Sequence, residues 1–346
     1  MGVVRCCFVL FALSCQSLCA QSWPEPSRTI PARTIPVPGT VSPQMQKLIA
    51  PGPGPRNAPR SAEEWKALVA QASALEMTRI AELRRHFAVD VAERTIAGVR
   101  CYVITPKTIP AKNRNRLLVN VHGGGYVFGP GESGTLEAIT MAGFSEMKVI
   151  SIDYRMPPDH PYPAAMDDAM AVWKAVVKLE KPARIALFGT STGGAMTLAM
   201  VQRSKAEGLP LPAAIAPGTP WSDLTKSGDT YFTNELLDNA LGGYEPLLSA
   251  AAKLYANGLD LQDPRLSPVY GDFTGFPPTI LTSGTRDLFL SNTVRVHRKL
   301  RAAGVEAQLE VYEGQSHGQY IPDPTAPETQ EAFGEITKFF DSHLAH

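Results

Sequence analysis

"RIALFGTSTGGAMTLAM", residues 184–200, decides the fold. A short apolar run ends in Gly189-Thr190-Ser191-Thr192-Gly193, and an Ala/Met/Leu-rich stretch of helical character follows at once. Strand, tight turn, helix is the local order that displays a serine on a sharp elbow. The pentapeptide alone is weak. With 28 Gly in the chain, chance supplies a G-x-S-x-G roughly one time in eight. Its neighbours must decide.

Short apolar runs alternate with helical patterns on both sides of it. "RLLVNV" (116–121), "KVISIDYR" (148–155), "AAIAPGTP" (213–220), "PPTILTSG" (277–284) and "EAQLEVYEG" (306–314) read as strands. "YPAAMDDAMAVWKAVVKL" (162–179), Ser291 to Ala303 and a terminal stretch from about Pro327 to His343 read as helices. "VDVAERTIAGVRCYVITP" (89–106) reads as a hairpin turning near Ala97-Gly98. The sum predicts an α/β protein, with a mostly parallel eight-stranded sheet covered by helices on both faces.

The N-terminal third differs. "MGVVRCCFVLFALSCQSLCAQ" has Arg5, an apolar stretch from Cys6 to Leu13, then small and polar residues to Ala20. That stretch is shorter than the about 18 residues a bilayer span needs, and it suits an export signal over residues 1–20, cut after Ala20. The alternative is a lipoprotein signal ending at Cys15. Either places the protein in the periplasm or outside the cell. Four of the five cysteines (Cys6, Cys7, Cys15, Cys19) fall in this signal. Cys101 alone remains, so no internal disulfide is expected, and it reads as a buried small hydrophobe.

Residues 21–60 are Pro-rich and read as an extended segment. The catalytic domain spans 61–346. At Ser61, with Glu64 three residues on, a capping box opens one long helix or two short ones to Phe87. A second helical excursion runs from about Asp223 to Gln262, with exposed-looking aromatics. Helices from about 43–88 and 223–262 are expected to form a cap over the sheet's C-terminal edge.

Lys+Arg and Asp+Glu both number 33, giving a formal net charge of zero. With no long basic run, nucleic acid is not an expected partner. No stable membrane insertion is expected either; a homodimer stays open.

Open α/β sheets build their sites at the carboxyl ends of strands. Four such ends carry chemistry here. "RLLVNV" ends in His122-Gly123-Gly124-Gly125, "RIALF" in the turn with Ser191, "PPTILTSG" in Asp287 and "EAQLEVYEG" in His317. A serine hydroxyl needs a base, which His317 supplies, and Asp287 holds the imidazole in the useful tautomer. The order Ser191, Asp287, His317 is that of α/β hydrolases. Glycines at 189 and 193 leave room for the turn. Backbone N–H groups of Thr192, Gly124 and Gly125 form the expected oxyanion hole. H-G-G-G is the more specific motif, expected by chance about 0.004 times per chain of this composition.

These pieces resemble the hormone-sensitive-lipase-like (bacterial family IV) esterases of the α/β-hydrolase superfamily. The resemblance rests on His122–Gly125, "DYRMPPDHPYPAAMDD" from Asp153, "GTSTGG" from Gly189, "DPRLSP" from Asp263, "SGTRDLFLSN" from Ser283 and "GQSHG" from Gly314. The last third is most similar to the branch with monoterpene ε-lactone hydrolases. The resemblance implies ester hydrolysis without metal or other cofactor, a cap built partly from N-terminal helices, and a loop-orienting role for His122. Thr192 departs from it, since many members have Ala there; its side chain would narrow the acyl pocket or donate a hydrogen bond.

Asp272, Glu313 and Asp323 are the competing acids, and none directly follows the 277–284 strand. His297 lies inside a helical pattern and reads as structural. Tyr126, Phe128, Trp221, Tyr231, Phe232 and Tyr320 are candidates for lining a substrate pocket. The expected activity is a serine carboxylesterase for small apolar esters or lactones. The same triad would serve an amidase or peptidase, and a non-catalytic ligand-binding relative is the third reading.

Overall fold

The computed structural model describes residues 29–54 and 57–345. The expected export signal and its four cysteines lie outside the described residues. The chain divides into two units, Met1–Pro36 and Val37–His346. Of the first, residues 29–36 carry no helix or strand and are exposed.

The second unit holds nine α-helices among the described residues. They are α1 (Pro43–Ile49), α2 (Ala62–Phe87), α3 (Leu136–Ser145), α4 (Ala164–Leu179), α5 (Thr192–Ala206), α6 (Thr230–Thr233), α7 (Leu247–Ala256), α8 (Leu290–Ala302) and α9 (Pro327–His343). Eight strands form one sheet: β1 (Val89–Ile96), β2 (Val99–Pro106), β3 (Leu117–Val121), β4 (Lys148–Ile152), β5 (Ile185–Thr190), β6 (Ala214–Gly218), β7 (Thr279–Gly284) and β8 (Ala307–Tyr312). Their spatial order is β1-β2-β4-β3-β5-β6-β7-β8.

β1 and β2 pair antiparallel, with Ile96 opposite Val99. The two residues between, Ala97 (φ 51°) and Gly98 (φ 83°), are both left-handed, which matches the twist of a tight hairpin. β2 also runs antiparallel to β4, while β4, β3, β5, β6, β7 and β8 are mutually parallel. The α/β-hydrolase architecture expected from the sequence is therefore present.

β3, β5, β6 and β7 are buried along their whole length, as strands covered on both faces must be. Successive side chains feed opposite layers. Leu117, Val119 and Val121 of β3 pack in the layer with Trp173 of α4, Met196 of α5 and Val296 of α8. Leu118 points into the other layer, with Ile80 of α2, Ile139 of α3 and Phe333 of α9.

The chain leaves β3 for β4 on one side and then crosses to β5 on the other. The loops after β3 and β5 thus open side by side at the point where strand order reverses, where such sheets leave a crevice. The H-G-G-G loop and Ser191 stand there.

Several details settle, correct or agree with the sequence reading. The 61–87 segment is one helix. Ser61 Oγ accepts the Glu64 N–H at 3.2 Å, but Glu64 Oε2 takes the N–H of Arg60 at 2.7 Å rather than that of Ser61, so only half of the capping box forms. The aromatics of the 223–262 excursion are not exposed as a group. Tyr231, Tyr244 and Tyr255 are buried, and Phe232 alone is open, beneath the Lys226 ammonium. Cys101 is fully buried and its thiol is pushed up to about 12 by burial, the state of an inert structural cysteine. Among the described residues no helix is long and apolar enough to cross a membrane.

Candidate active site

Ser191 caps the N-terminus of α5 at φ 65°, ψ −124°. A non-glycine residue there is strained by roughly 1–3 kcal/mol, and the surroundings enforce it. The Ser191 N–H donates to Gly218 O at 2.9 Å, and Ser191 O accepts from Ala195 N and Trp221 N, both at 3.0 Å. A Cβ on Gly189 would lie 2.1 Å from Val121 O, and one on Gly193 2.0 Å from the same oxygen. Both glycines are thus required by the carbonyl at the end of β3.

The loop after β3 turns back over the serine. Gly124 (φ 120°) and Gly125 (φ 63°) are left-handed, and Gly124 O accepts Phe128 N at 2.8 Å to close the turn. A Cβ on Gly123 would meet Thr190 O at 2.6 Å. Among the described residues the N–H groups of Gly124 and Gly125 have no acceptor, which suits donors reserved for substrate.

His122 anchors this loop. Its ring stacks on Tyr154 with centroids 4.2 Å apart, its Nδ1 meets Gly123 O at 2.7 Å, and Tyr154 OH donates to His122 O at 2.7 Å. Burial holds its pKa below the ordinary histidine value. A neutral, buried imidazole bonded within its own loop is a positioning group, not a base.

His317 follows β8 and meets Asp287, which follows β7. His317 Nδ1 lies 3.1 Å from Asp287 Oδ1. Asp287 is fully buried. Its Oδ1 also takes Phe289 N at 2.8 Å, and its Oδ2 takes Ser283 Oγ at 2.8 Å and the Thr219 hydroxyl. Burial opposes the carboxylate's charge, but His317 and these donors outweigh it and hold the pKa below the ordinary aspartate value. The Phe289 ring stands edge-on to the imidazole at 4.8 Å. Among the described residues Ser191 and His317 are not hydrogen-bonded, but both line one cavity of about 520 Å³.

The competing acids lie elsewhere. Asp272 pairs with Lys205 at 2.8 Å, Asp323 caps its own turn through Thr325 N, and Glu313 is exposed. His297 is half-buried on α8, near Ala307 O at 3.3 Å.

Of the six aromatic pocket candidates, Phe128 and Trp221 line the cavity. The other four do not. Tyr126 (φ 63°) turns into the core and stacks on Tyr255 at 3.5 Å. Tyr231 is consumed by bonds to Trp221 Nε1 and Asn292 Nδ2. Tyr320 is buried behind the site, its hydroxyl 2.7 Å from Thr190 Oγ1. Phe232 faces solvent. Thr192 is fully buried, and its side chain is not part of the cavity wall. Leu241, Leu247, Leu248 and Ala251 complete one wall, and Ala72, Ser73, Glu76 and Arg79 of α2 another. α2 and α7 therefore border the cavity, whereas α1 packs against Ala326.

Three residues escaped the sequence reading. Thr219, just after β6, places Oγ1 3.1 Å from His317 Nδ1 while donating to Asp287; its place at a strand end was the available signal. Asp238 is fully buried behind the pair. Its Oδ2 takes Leu288 N at 2.8 Å and His317 N at 3.3 Å, and its Oδ1 takes Ala240 N and Leu241 N at 2.9 Å. Burial and then the charge of Asp287 push its pKa up to about 6. Glu137, in the first turn of α3, lines the cavity and bonds Thr190. Neither carboxylate had a motif to flag it. Among the described residues no cluster of His, Cys, Asp and Glu could hold a metal ion.

Sheet order, elbow and strand-end groups together define an α/β hydrolase. Comparison with known proteins agrees. A family profile described as α/β hydrolase fold matches residues 118–321. An esterase of Acinetobacter venetianus is 29% identical over 248 residues, 71% of this chain and 80% of that protein. An acetyl-hydrolase of Streptomyces hygroscopicus is 30% identical over 224 residues, 64% and 74% of the two chains. The crystal structure of esterase E25 superposes with a TM-score of 0.90 at 44% identity, covering 92% of this chain and 99% of that one. An esterase from the bacterial hormone-sensitive lipase family superposes at 0.70 with 26% identity, covering 80% and 98%. The chain belongs to the α/β-hydrolase family, and within it to the hormone-sensitive-lipase-like esterases; it is a carboxylic-ester hydrolase.

Proposed function

We propose that the enzyme is a serine carboxylesterase acting on small apolar esters of short to medium acyl chain, or on lactones, through an acyl-enzyme. The observation that carries this reading is the shared cavity of Ser191 and His317, with the imidazole held from behind by buried Asp287. His317 Nε2 takes the Ser191 proton as Oγ attacks the ester carbonyl. The negative charge that develops on the carbonyl oxygen is met by the N–H groups of Gly124, Gly125 and Thr192. His317 returns the proton to the leaving alcohol, and water then releases the acid by the same route. Asp287 keeps the Nδ1 proton in place and stabilises the transient imidazolium.

The cavity's size and its walls of Leu241, Leu247, Leu248, Phe128 and Trp221 support small apolar acyl or alcohol groups. The export signal read at residues 1–20 places this activity, in the proposal, outside the cytoplasm.

The test is Ser191→Ala assayed on a panel of p-nitrophenyl esters, from acetyl to decanoyl, together with lactones and one matched amide. Loss on the order of a millionfold is expected for the variant. Near-wild-type turnover of short esters by the variant would overturn the assignment. Faster cleavage of the amide than of its ester would replace esterase by amidase.

A further inference from the structure

Glu137 has no task in the ester-cleavage scheme, yet it lines the cavity that holds Ser191. Its Oε1 accepts Thr190 Oγ1 at 2.7 Å, and its Oε2 accepts Thr190 N at 3.1 Å and Asn120 Nδ2 at 3.4 Å. Thr190 is the residue before the nucleophile, and its hydroxyl also meets Tyr320 OH at 2.7 Å. Every donor to the carboxylate is neutral.

No cation faces it. The titratable and charged groups on the surrounding elements are Tyr320 after β8, His317 in the same loop, His122 after β3, and Glu76 and Arg79 on α2. Arg79 pairs with Glu76 at 3.2 Å on the same cavity wall, so that pair brings no net charge to it, and burial keeps His122 below the ordinary histidine range. His317 is bonded to Asp287.

The hydrogen bonds do not require a charge at this position. A glutamine amide would fill the same space, its oxygen taking Thr190 N and its NH2 donating to Thr190 Oγ1, whose proton then passes to Tyr320. What only a carboxylate supplies is negative charge facing the substrate.

We propose that Glu137 is a specificity-determining residue, whose carboxylate, held by neutral donors alone beside Ser191, makes the enzyme favour neutral esters over esters with an anionic acyl chain. The proposal rests on the reading of this cavity as the ester site. Repulsion between like charges about 7 Å apart, at an effective dielectric of ~20, is worth roughly tenfold to a hundredfold in kcat/KM.

The discriminating pair is ethyl hexanoate and monoethyl adipate, which share a chain length and differ by one terminal carboxylate. The readout is the ratio of their kcat/KM values by ethanol release, so a general loss from disturbing Thr190 cancels. At pH 8 the wild type is expected to prefer the neutral ester, and Glu137→Gln to shrink that preference by about tenfold or more. The second measurement needs no variant. Burial pushes the Glu137 pKa up to about 7, so lowering the pH from 8 to 6 neutralises it and should shrink the wild-type preference. Monoethyl adipate stays ionised over that range.

An unchanged ratio in Glu137→Gln, or a wild-type ratio flat from pH 8 to 6, overturns the role of Glu137. Absence of any Ser191-dependent hydrolysis of ethyl hexanoate by the wild type overturns the site reading itself, which is a different result.

Discussion

Asp238 Oδ2 accepts the backbone N–H of His317 at 3.3 Å and that of Leu288 at 2.8 Å. One oxygen thereby joins the loop of the base to the residue that follows the acid. The geometry of the Asp287–His317 pair depends on a side chain from the 223–262 excursion.

Asp238→Ala removes the acceptor of four backbone N–H groups, one buried and three partly buried. A loss of about 3 kcal/mol or more in stability is expected, with kcat falling more than KM rises. Urea denaturation and steady-state kinetics read both, and wild-type values in each would refute the clamp. The pH dependence has a definite sign. Folding raises the Asp238 pKa from 3.8 to about 6, so the folded state binds this proton more tightly than the unfolded chain. Its contribution to stability is therefore present below about pH 4 and lost as pH rises through about 6. Stability of the wild type relative to Asp238→Asn should fall across that window.

Asp287→Asn keeps the shape of the acid but presents the imidazole with the wrong hydrogen-bonding partner. A fall in kcat on the order of a thousand- to ten-thousandfold is expected, with little change in KM. A loss below tenfold would show that Thr219 alone can orient His317.

Gly189→Ala puts a methyl 2.1 Å from Val121 O. Backbone must move, and a displacement of about 1 Å at a reacting group costs on the order of a hundredfold in rate. Activity and thermal midpoint should fall together. A fully active, stable Gly189→Ala enzyme would mean that the elbow tolerates rearrangement.

Thr192→Ala tests the one motif position that departs from the resembling esterases. Its side chain is buried and absent from the cavity wall. The acyl-length profile should keep its shape, and stability should change by less than about 1 kcal/mol, because the lost methyl contact is offset by removal of a buried hydroxyl that has no hydrogen-bond partner among the described residues. A shifted chain-length optimum would give Thr192 a role in selectivity after all.

The frame was legible in the sequence because each strand is short, apolar and followed by its own turn chemistry. Ala97-Gly98 announced the hairpin turn, and Gly189 and Gly193 the close approach of the β3 carbonyl to the elbow. α3 was harder to read, because a helix buried almost all round shows no polar stripe. The wall of the cavity was less legible still. Tyr126, Tyr231 and Tyr320 are aromatic like Phe128 and Trp221, and their inward aim is set by left-handed backbone and long-range partners that no local pattern records. Asp238 and Glu137 stayed hidden for the same reason. The partners that tie them to the site, Leu288 and His317 for Asp238 and Thr190 for Glu137, lie 50 or more residues away along the chain.

The order of the strand-end groups along the chain also sets when the enzyme can first act. A chain emerging from the ribosome presents the glycine loop, then Ser191, then Asp287, and only then His317. Ser42 is bonded to Glu328 across 286 residues, so the segment made early is fastened by one made late. A nascent chain stalled before residue 317 holds a nucleophile with no base. Ester cleavage by ribosome-bound chains would therefore serve as a clock for completion of the last strand and its loop.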